Sequence, residues 1–129
     1  MSKPENIRYS KSHEWVAFSN NTTAIIGITD YAQGELGDLV FVNLPEIGSQ
    51  VSKGETFADV ESVKAVSDVY SPVTGTVKAV NQDLLDHPEK INEDAESAWF
   101  VEIENITAKE ELMDKTAYDA FVESEKIKK

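Results

Sequence analysis

The stretch Phe57-Ala-Asp-Val-Glu-Ser-Val-Lys-Ala-Val-Ser-Asp-Val-Tyr70 decides the fold. It reads as two strand-like runs with no Gly, Pro or Asn-Gly between them. In a small domain two such runs must reverse direction, and the least apolar part lies between Glu61 and Asp68. The reversal puts Lys64 at the tip of a hairpin. A lysine there adds little to stability, and an enzyme can reach it. A single lysine in an apolar run is usually a strand residue whose stem covers its neighbours. Here the frame changes that reading: Gly48 and Gly54 lie on one side, with Ser71-Pro72 and Gly75 on the other. These are junction residues that fold the two strands onto each other and aim the lysine outward. Glu61 and Asp68 are expected to form an acidic collar that favours the charged ammonium. The pattern suits a covalently acylated lysine.

Outward from the hairpin, period-2 patterning dominates to about residue 104. Trp15 to Phe18 is a candidate strand, Ser19-Asn20-Asn21 a turn, and Thr22 to Ile28 a strand with Ala24, Ile26 and Ile28 on one face. Thr29-Asp30 caps a short helix through Leu36, stopped by Gly37. Leu39 to Leu44 is almost continuously apolar and predicts a strand covered on both sides. Ser71 to Gly75 reads as a turn and Thr76 to Val80 as a strand. Residues 81–97 are polar, with helical turns near Leu84-Leu85 and Lys90-Ile91. Trp99, Val101 and Ile103 alternate inward. Thr107-x-x-Glu110 has the spacing of a capping box ahead of Leu112-Met113. Thr116 predicts the cap of a second helix carrying Tyr118, Phe121 and Val122. Many short strands followed by terminal helices predict a mainly β fold, a small barrel or sandwich with helical flanks.

Composition narrows the function classes. The 129 residues are 40% hydrophobic and 28% charged, enough for one modest core. No cysteine is present, which excludes disulfides, thiolate nucleophiles and cysteine metal sites. The net charge of −12 opposes binding to nucleic acid or to an anionic membrane. No apolar run is long enough to span a bilayer. Residues 1–8 show neither a signal nor a transit pattern, so a bacterial-type cytoplasm is expected. The two histidines, His13 and His87, lack metal-ligand spacing and read as a partly exposed strand residue and a loop residue. There is no nucleophile elbow, phosphate loop or dinucleotide fingerprint. Nothing argues for catalysis by this chain alone.

The stretch from Gly48 to Val77, with its Glu61-Ser62-Val63-Lys64-Ala65 core and Asp68-Val69-Tyr70-Ser71-Pro72 after it, resembles a lipoyl-attachment domain. More narrowly, it is similar to the H proteins of the glycine cleavage system. Ser12-His13-Glu14-Trp15-Val16, Gly27 to Gln33, Leu36 to Val42, Asn92-Glu93-Asp94 and Trp99 agree with that family, so the resemblance spans about residues 8–125. It implies a flattened barrel-sandwich hybrid of the lipoyl/biotinyl type, about 8–104, with C-terminal helices at about 107–126, the whole of 1–129 being one carrier domain. It implies lipoate in amide linkage on Lys64, with Glu61, Ser62, Val63, Ala65 and Asp68 supporting the attachment motif. The implied role is a non-catalytic shuttle. The arm takes an aminomethyl group from the PLP-dependent decarboxylase (P protein) to the tetrahydrofolate-dependent aminomethyltransferase (T protein). Dihydrolipoamide dehydrogenase (L protein) reoxidises it, and a lipoate ligase or lipoyl transferase loads it. A monomer is expected.

By position in the family motif, Ser12, Glu14 and Asp68 are candidates for a cleft that holds the loaded arm by its ammonium end. Val63 and Ala65, in place of methionines, set the chain apart from biotin carriers. Val63 and the lack of a linker set it apart from the lipoyl domains of 2-oxo acid dehydrogenases. Two alternatives keep the fold: a relay that donates lipoyl groups to other enzymes, and an unmodified acidic interaction domain.

Overall fold

The computed structural model describes residues 6–128, with side chains through residue 125; the reading of a leader-free N-terminus falls partly on residues 1–5, outside them. Among the described residues, nine strands and four helices follow in the order β1 (Ile7–Tyr9), β2 (Glu14–Asn20), β3 (Thr23–Ile28), α1 (Asp30–Leu36), β4 (Leu39–Asn43), β5 (Gln50–Val51), β6 (Thr56–Ser62), β7 (Val66–Tyr70), β8 (Val73–Val80), α2 (Asp83–Asp86), α3 (Glu89–Glu93), β9 (Val101–Lys109) and α4 (Lys115–Lys128). The strands form two antiparallel sheets, a six-stranded one in the order β1-β2-β3-β9-β8-β5 and a three-stranded one in the order β4-β6-β7. The expected mainly β sandwich is present, and it is not closed into a barrel.

The main core lies between the sheets. Val16, Ile26, Ile28, Val77, Val101 and Ile103 of the large sheet meet Val42, Ala58, Val60 and Val69 of the small one, and Leu84, Ile91 and Phe100 close the end. Ala24, Ile26 and Ile28 share the buried face that their period-2 spacing predicts. On β2 both faces are buried, because a second cluster covers the outer side. Tyr9, Trp15 and Ala17 pack there against Tyr118 and Val122 of α4. Tyr9 and Tyr118 stack with centroids 4.6 Å apart. The Trp15 indole N–H donates to the Ala95 carbonyl at 3.0 Å, so its burial leaves no orphan donor.

Close approach explains Gly75. A Cβ there would lie 2.6 Å from Ile103 Cγ2 and 2.7 Å from the Glu104 carbonyl oxygen, where β8 meets β9. Gly75→Ala is expected to lower stability by about 1–3 kcal/mol through overpacking. An unchanged urea midpoint would contradict this contact.

Several local readings need correction. β4 is covered on one face only: Leu39 and Val42 point inward, while Val40 and Phe41 are exposed. A register shift between Leu39 and Phe41 places both apolar side chains outside. Pro72 ends the turn earlier than expected, and β8 begins at Val73. Trp99 belongs to the second cluster, and it is Phe100 that enters the main core. The capping-box spacing at Thr107 starts no helix. β9 continues through it, pairing Ala108 with Thr74 and Lys109 with Val73 past an irregularity at Asn105, whose φ is 55°. Sheet pairing there overrides a local helix signal. The terminal helix begins at Lys115 and is capped by Asp114, whose Oδ1 accepts from the Ala117 amide at 2.8 Å; Thr116 lies inside it.

Candidate functional site

The Lys64 hairpin forms without glycine because a serine side chain replaces part of its backbone hydrogen bonding. The Ser62 amide donates to the Ala65 carbonyl at 2.8 Å. In return, Ser62 Oγ accepts from the amides of Lys64 at 3.2 Å and Ala65 at 3.0 Å. No positive φ is needed at Val63 or Lys64. The tip is also tied to the body: the Val63 amide donates to the Asp38 carbonyl at 3.1 Å. The α1–β4 junction is itself fixed by Asn92 of α3. Its side chain accepts from the Leu39 amide at 2.9 Å and donates to the Gly37 carbonyl at 2.9 Å and to Gln33 Oε1 at 2.8 Å.

Gly37 matters beyond ending α1. Its φ of +85° favours glycine, and a Cβ there would sit 3.6 Å from Lys64 Cε. The lysine stem therefore rests over the α1–β4 junction while Lys64 itself stays exposed. Beside this junction lies a cleft of about 250 Å³ lined by Ser12, His13, Tyr31, Ala32, Glu35, Leu36, Ser67 and Glu125. Leu36 of the cleft wall directly precedes Gly37, so the end of α1 contributes both to the cleft and to the junction under the Lys64 stem.

Behind Ser12 is a buried carboxylate. Glu14 is 2% exposed. Its Oε1 accepts from Ser10 Oγ at 2.7 Å and Ser12 Oγ at 2.5 Å, and its Oε2 accepts from the Tyr70 amide at 3.3 Å. Burial pushes the Glu14 carboxyl up to about 7, and the hydrogen bonds only partly oppose that.

The expected cleft trio is thus split. Ser12 and Glu14 are joined directly. Asp68 stands on the outer face of the small sheet, opposite Asp59, and Ser67, one residue earlier on β7, lines the cleft. The acidic collar is also redistributed. Among the described residues Lys64 makes no ion pair, and Glu61 stands between Phe41 and Val66 in the outer row of the sheet.

Sequence reasoning missed three contributors. Ser10 is buried against Glu14 by the turn of residues 10–13, in which the His13 amide donates to the Ser10 carbonyl at 3.2 Å, and no strand or helix spacing signalled it. Ser67 carried no signal beyond alternation on β7. His13 lies before β2 with φ 72°, not within a strand. Its Nδ1 is 2.7 Å from Tyr118 Oη, and its Nε2 is 3.3 Å from Glu125. It therefore latches α4 beside the cleft. His87 is a loop residue, as expected, at the C-terminal cap of α2. The described residues hold no cluster of three or more potential metal ligands, and none of their helices is long and apolar enough to cross a membrane.

Comparison with known proteins agrees with this geometry. The sequence model described as Glycine cleavage H-protein matches residues 7–125. The chain is 59% identical over 121 residues to a glycine cleavage system H protein of Lachnoclostridium phytofermentans, covering 94% of this chain and 95% of that protein. It is 51% identical to a probable glycine cleavage system H protein of Pyrococcus abyssi, covering 93% of this chain and 92% of that one. The crystal structure of a glycine cleavage system H protein from Mycobacterium marinum superposes with a TM-score of 0.83 at 38% identity, covering 91% of this chain and 96% of that one. The hairpin lysine, the sandwich beneath it and these matches over nearly the full length together place the chain in the glycine cleavage H-protein family.

Proposed function

We propose that Lys64 Nζ is the lipoyl attachment point and that the Ser12–Leu36–Ser67 cleft receives the loaded arm. The observation that carries this reading is the lysine stem lying over Gly37, the residue after Leu36 of the cleft wall. Membership in the family makes the protein a non-catalytic lipoyl carrier. It passes the aminomethyl group of glycine from the P protein to the T protein, and the L protein restores the oxidised form. When bound, the lipoyl group supplies the dithiolane that takes up and releases the one-carbon unit. The chain's own residues hold, orient and shield.

Exposure of Lys64 suits both its modification and the reach of a tethered arm, which raises the effective concentration of cargo at each partner. Ser62 and Ala65 set the tip, and Val63 ties it to Asp38. Glu14 suits a cationic cargo. With its carboxyl pushed up to about 7, both forms are populated near neutral pH, and an approaching ammonium favours the charged one. Ser12 bridges that carboxyl to the cleft wall. Asp68, with Glu61, belongs to the surface beside the lysine rather than to the arm's resting place. We take residues 1–129 as one carrier unit, with its sheets over about 8–104 extended by β9 to residue 109, acting in a bacterial-type cytoplasm.

The test is reconstitution. Lipoylated protein mixed with P, T and L proteins, glycine, tetrahydrofolate and NAD should give NADH only when this chain is present. Absence of glycine-dependent NADH with the other three components active on another H protein would overturn the assignment.

A further inference from the structure

We propose that the outer face of the β4-β6-β7 sheet is the docking surface for the enzyme that acylates Lys64. That enzyme presents an apolar side chain ringed by Lys or Arg. The proposal rests on Lys64 being the attachment point.

The register builds this face. Phe41, Glu61 and Val66 stand in one cross-strand row, and Asn43, Asp59 and Asp68 in the next. Phe41 is 52% exposed and Val66 65%, with Val63 at the tip 72% exposed. Three large apolar side chains left open beside one functional lysine form a patch of the kind that marks interaction sites. Glu61 lies between the apolar pair, and none of the six residues in the two rows is basic.

The second row gives an independent observation. Asp59 and Asp68 are direct partners across antiparallel strands, an arrangement that destabilises a sheet. Asn43 Nδ2 donates to Asp59 Oδ1 at 2.7 Å, which orients that carboxylate without neutralising it. A cationic side chain placed over the pair removes the repulsion on binding. Charge complementarity with a chain of net charge −12 points the same way.

Reach selects the acylating enzyme over the shuttle partners. The unmodified amine lies only one lysine side chain from the backbone, so an enzyme that acts on it must touch the hairpin itself. Enzymes that act on the finished arm have its added length to work with. In the acylation step neutral Nζ attacks the carbon of an activated lipoyl donor, an acyl-adenylate or acyl thioester. The amide bond forms as AMP or the thiol leaves, and the amine's proton passes to a base of the enzyme.

The experiment compares the parent protein with Phe41→Ser/Asp59→Asn, using purified lipoate–protein ligase, lipoic acid and Mg-ATP, with intact mass as the readout. The double variant should show a kcat/KM at least tenfold lower, carried by KM, and a weaker dependence on salt. The single variant Asp59→Asn removes a repulsion from the sheet. It should be modified about threefold more slowly while its urea midpoint stays level or rises, which separates docking from folding. Parental kcat/KM in both variants, with the parent modified at Lys64, overturns the docking surface and leaves the carrier reading standing. A parent left unmodified at Lys64 overturns both.

Discussion

Replacing Lys64 with arginine is expected to abolish glycine turnover in the reconstituted system while leaving the fold intact. The two halves of the prediction have separate causes. The side chain is exposed, and its backbone amide keeps its bond to Ser62 Oγ whatever the side chain. Stability should therefore change by no more than about 0.5 kcal/mol. Arginine retains the positive charge, but its guanidinium stays protonated at any accessible pH and offers no amine to acylate. No other lysine stands at the tip of this hairpin, so no arm of the right origin replaces the missing one. Urea unfolding checks the first half, and glycine-dependent NADH formation checks the second. Turnover at even a few per cent of the parental rate, by a preparation free of parent protein, would contradict the assignment of Lys64.

The second large effect concerns Glu14. Its carboxyl ordinarily titrates at 4.5, and in the folded protein it is pushed up to about 7. Below the lower value both folded and unfolded chains hold the proton, and the group exacts no cost. Between the two values the unfolded chain has released its proton and the folded chain has not, so stability falls as pH rises. Above about 7 the folded state also releases it, and the loss is complete. The gap corresponds to roughly 3 kcal/mol lost between about pH 4.5 and 7. Glu14→Gln removes this slope. The glutamine oxygen still accepts from Ser10 and Ser12, while its amide meets the Tyr70 N–H less well than Oε2 does. The variant should gain on the parent as pH rises from 5 to 8, in a series of urea titrations. Taking the difference between the two proteins cancels every other titration that they share. Parallel stability curves would remove the buried carboxylate from the account. Under the proposed cleft, the same property would link stability to function, because an ammonium bound at Ser12 would relieve the cost of the carboxylate behind it.

The hairpin was legible because its information is local. The run from Phe57 to Tyr70 alternates, and Ser62 provides within the turn itself the acceptor that closes it. The α1 helix was equally local: Thr29 accepts from the Ala32 amide, and Gly37 takes a positive φ. The misreadings share the opposite property. Whether Val40 and Phe41 are covered depends on what lies across from β4, and composition alone does not say. Thr107 to Glu110 satisfies a helix-start pattern, yet β8 recruits Ala108 and Lys109 into β9 from more than thirty positions earlier. Its place in the family motif alone groups Asp68 with Ser12 and Glu14. The pleat of β7 turns Ser67 toward the cleft and Asp68 toward Asp59. A single step along the strand decides which of two neighbours lines the cleft and which joins the outer row of the sheet. The latch of His13 on Tyr118 and Glu125 joins residues more than a hundred positions apart and carries no short-range signature.

The most direct measurement is peptide-mapped mass spectrometry of the protein co-expressed with a lipoate ligase in medium containing lipoic acid. The expected result is one lipoyl increment per chain, carried by the peptide that contains Lys64. A folded protein at its unmodified mass, or an increment on any other lysine, with the same ligase active on a second carrier protein, would contradict the account.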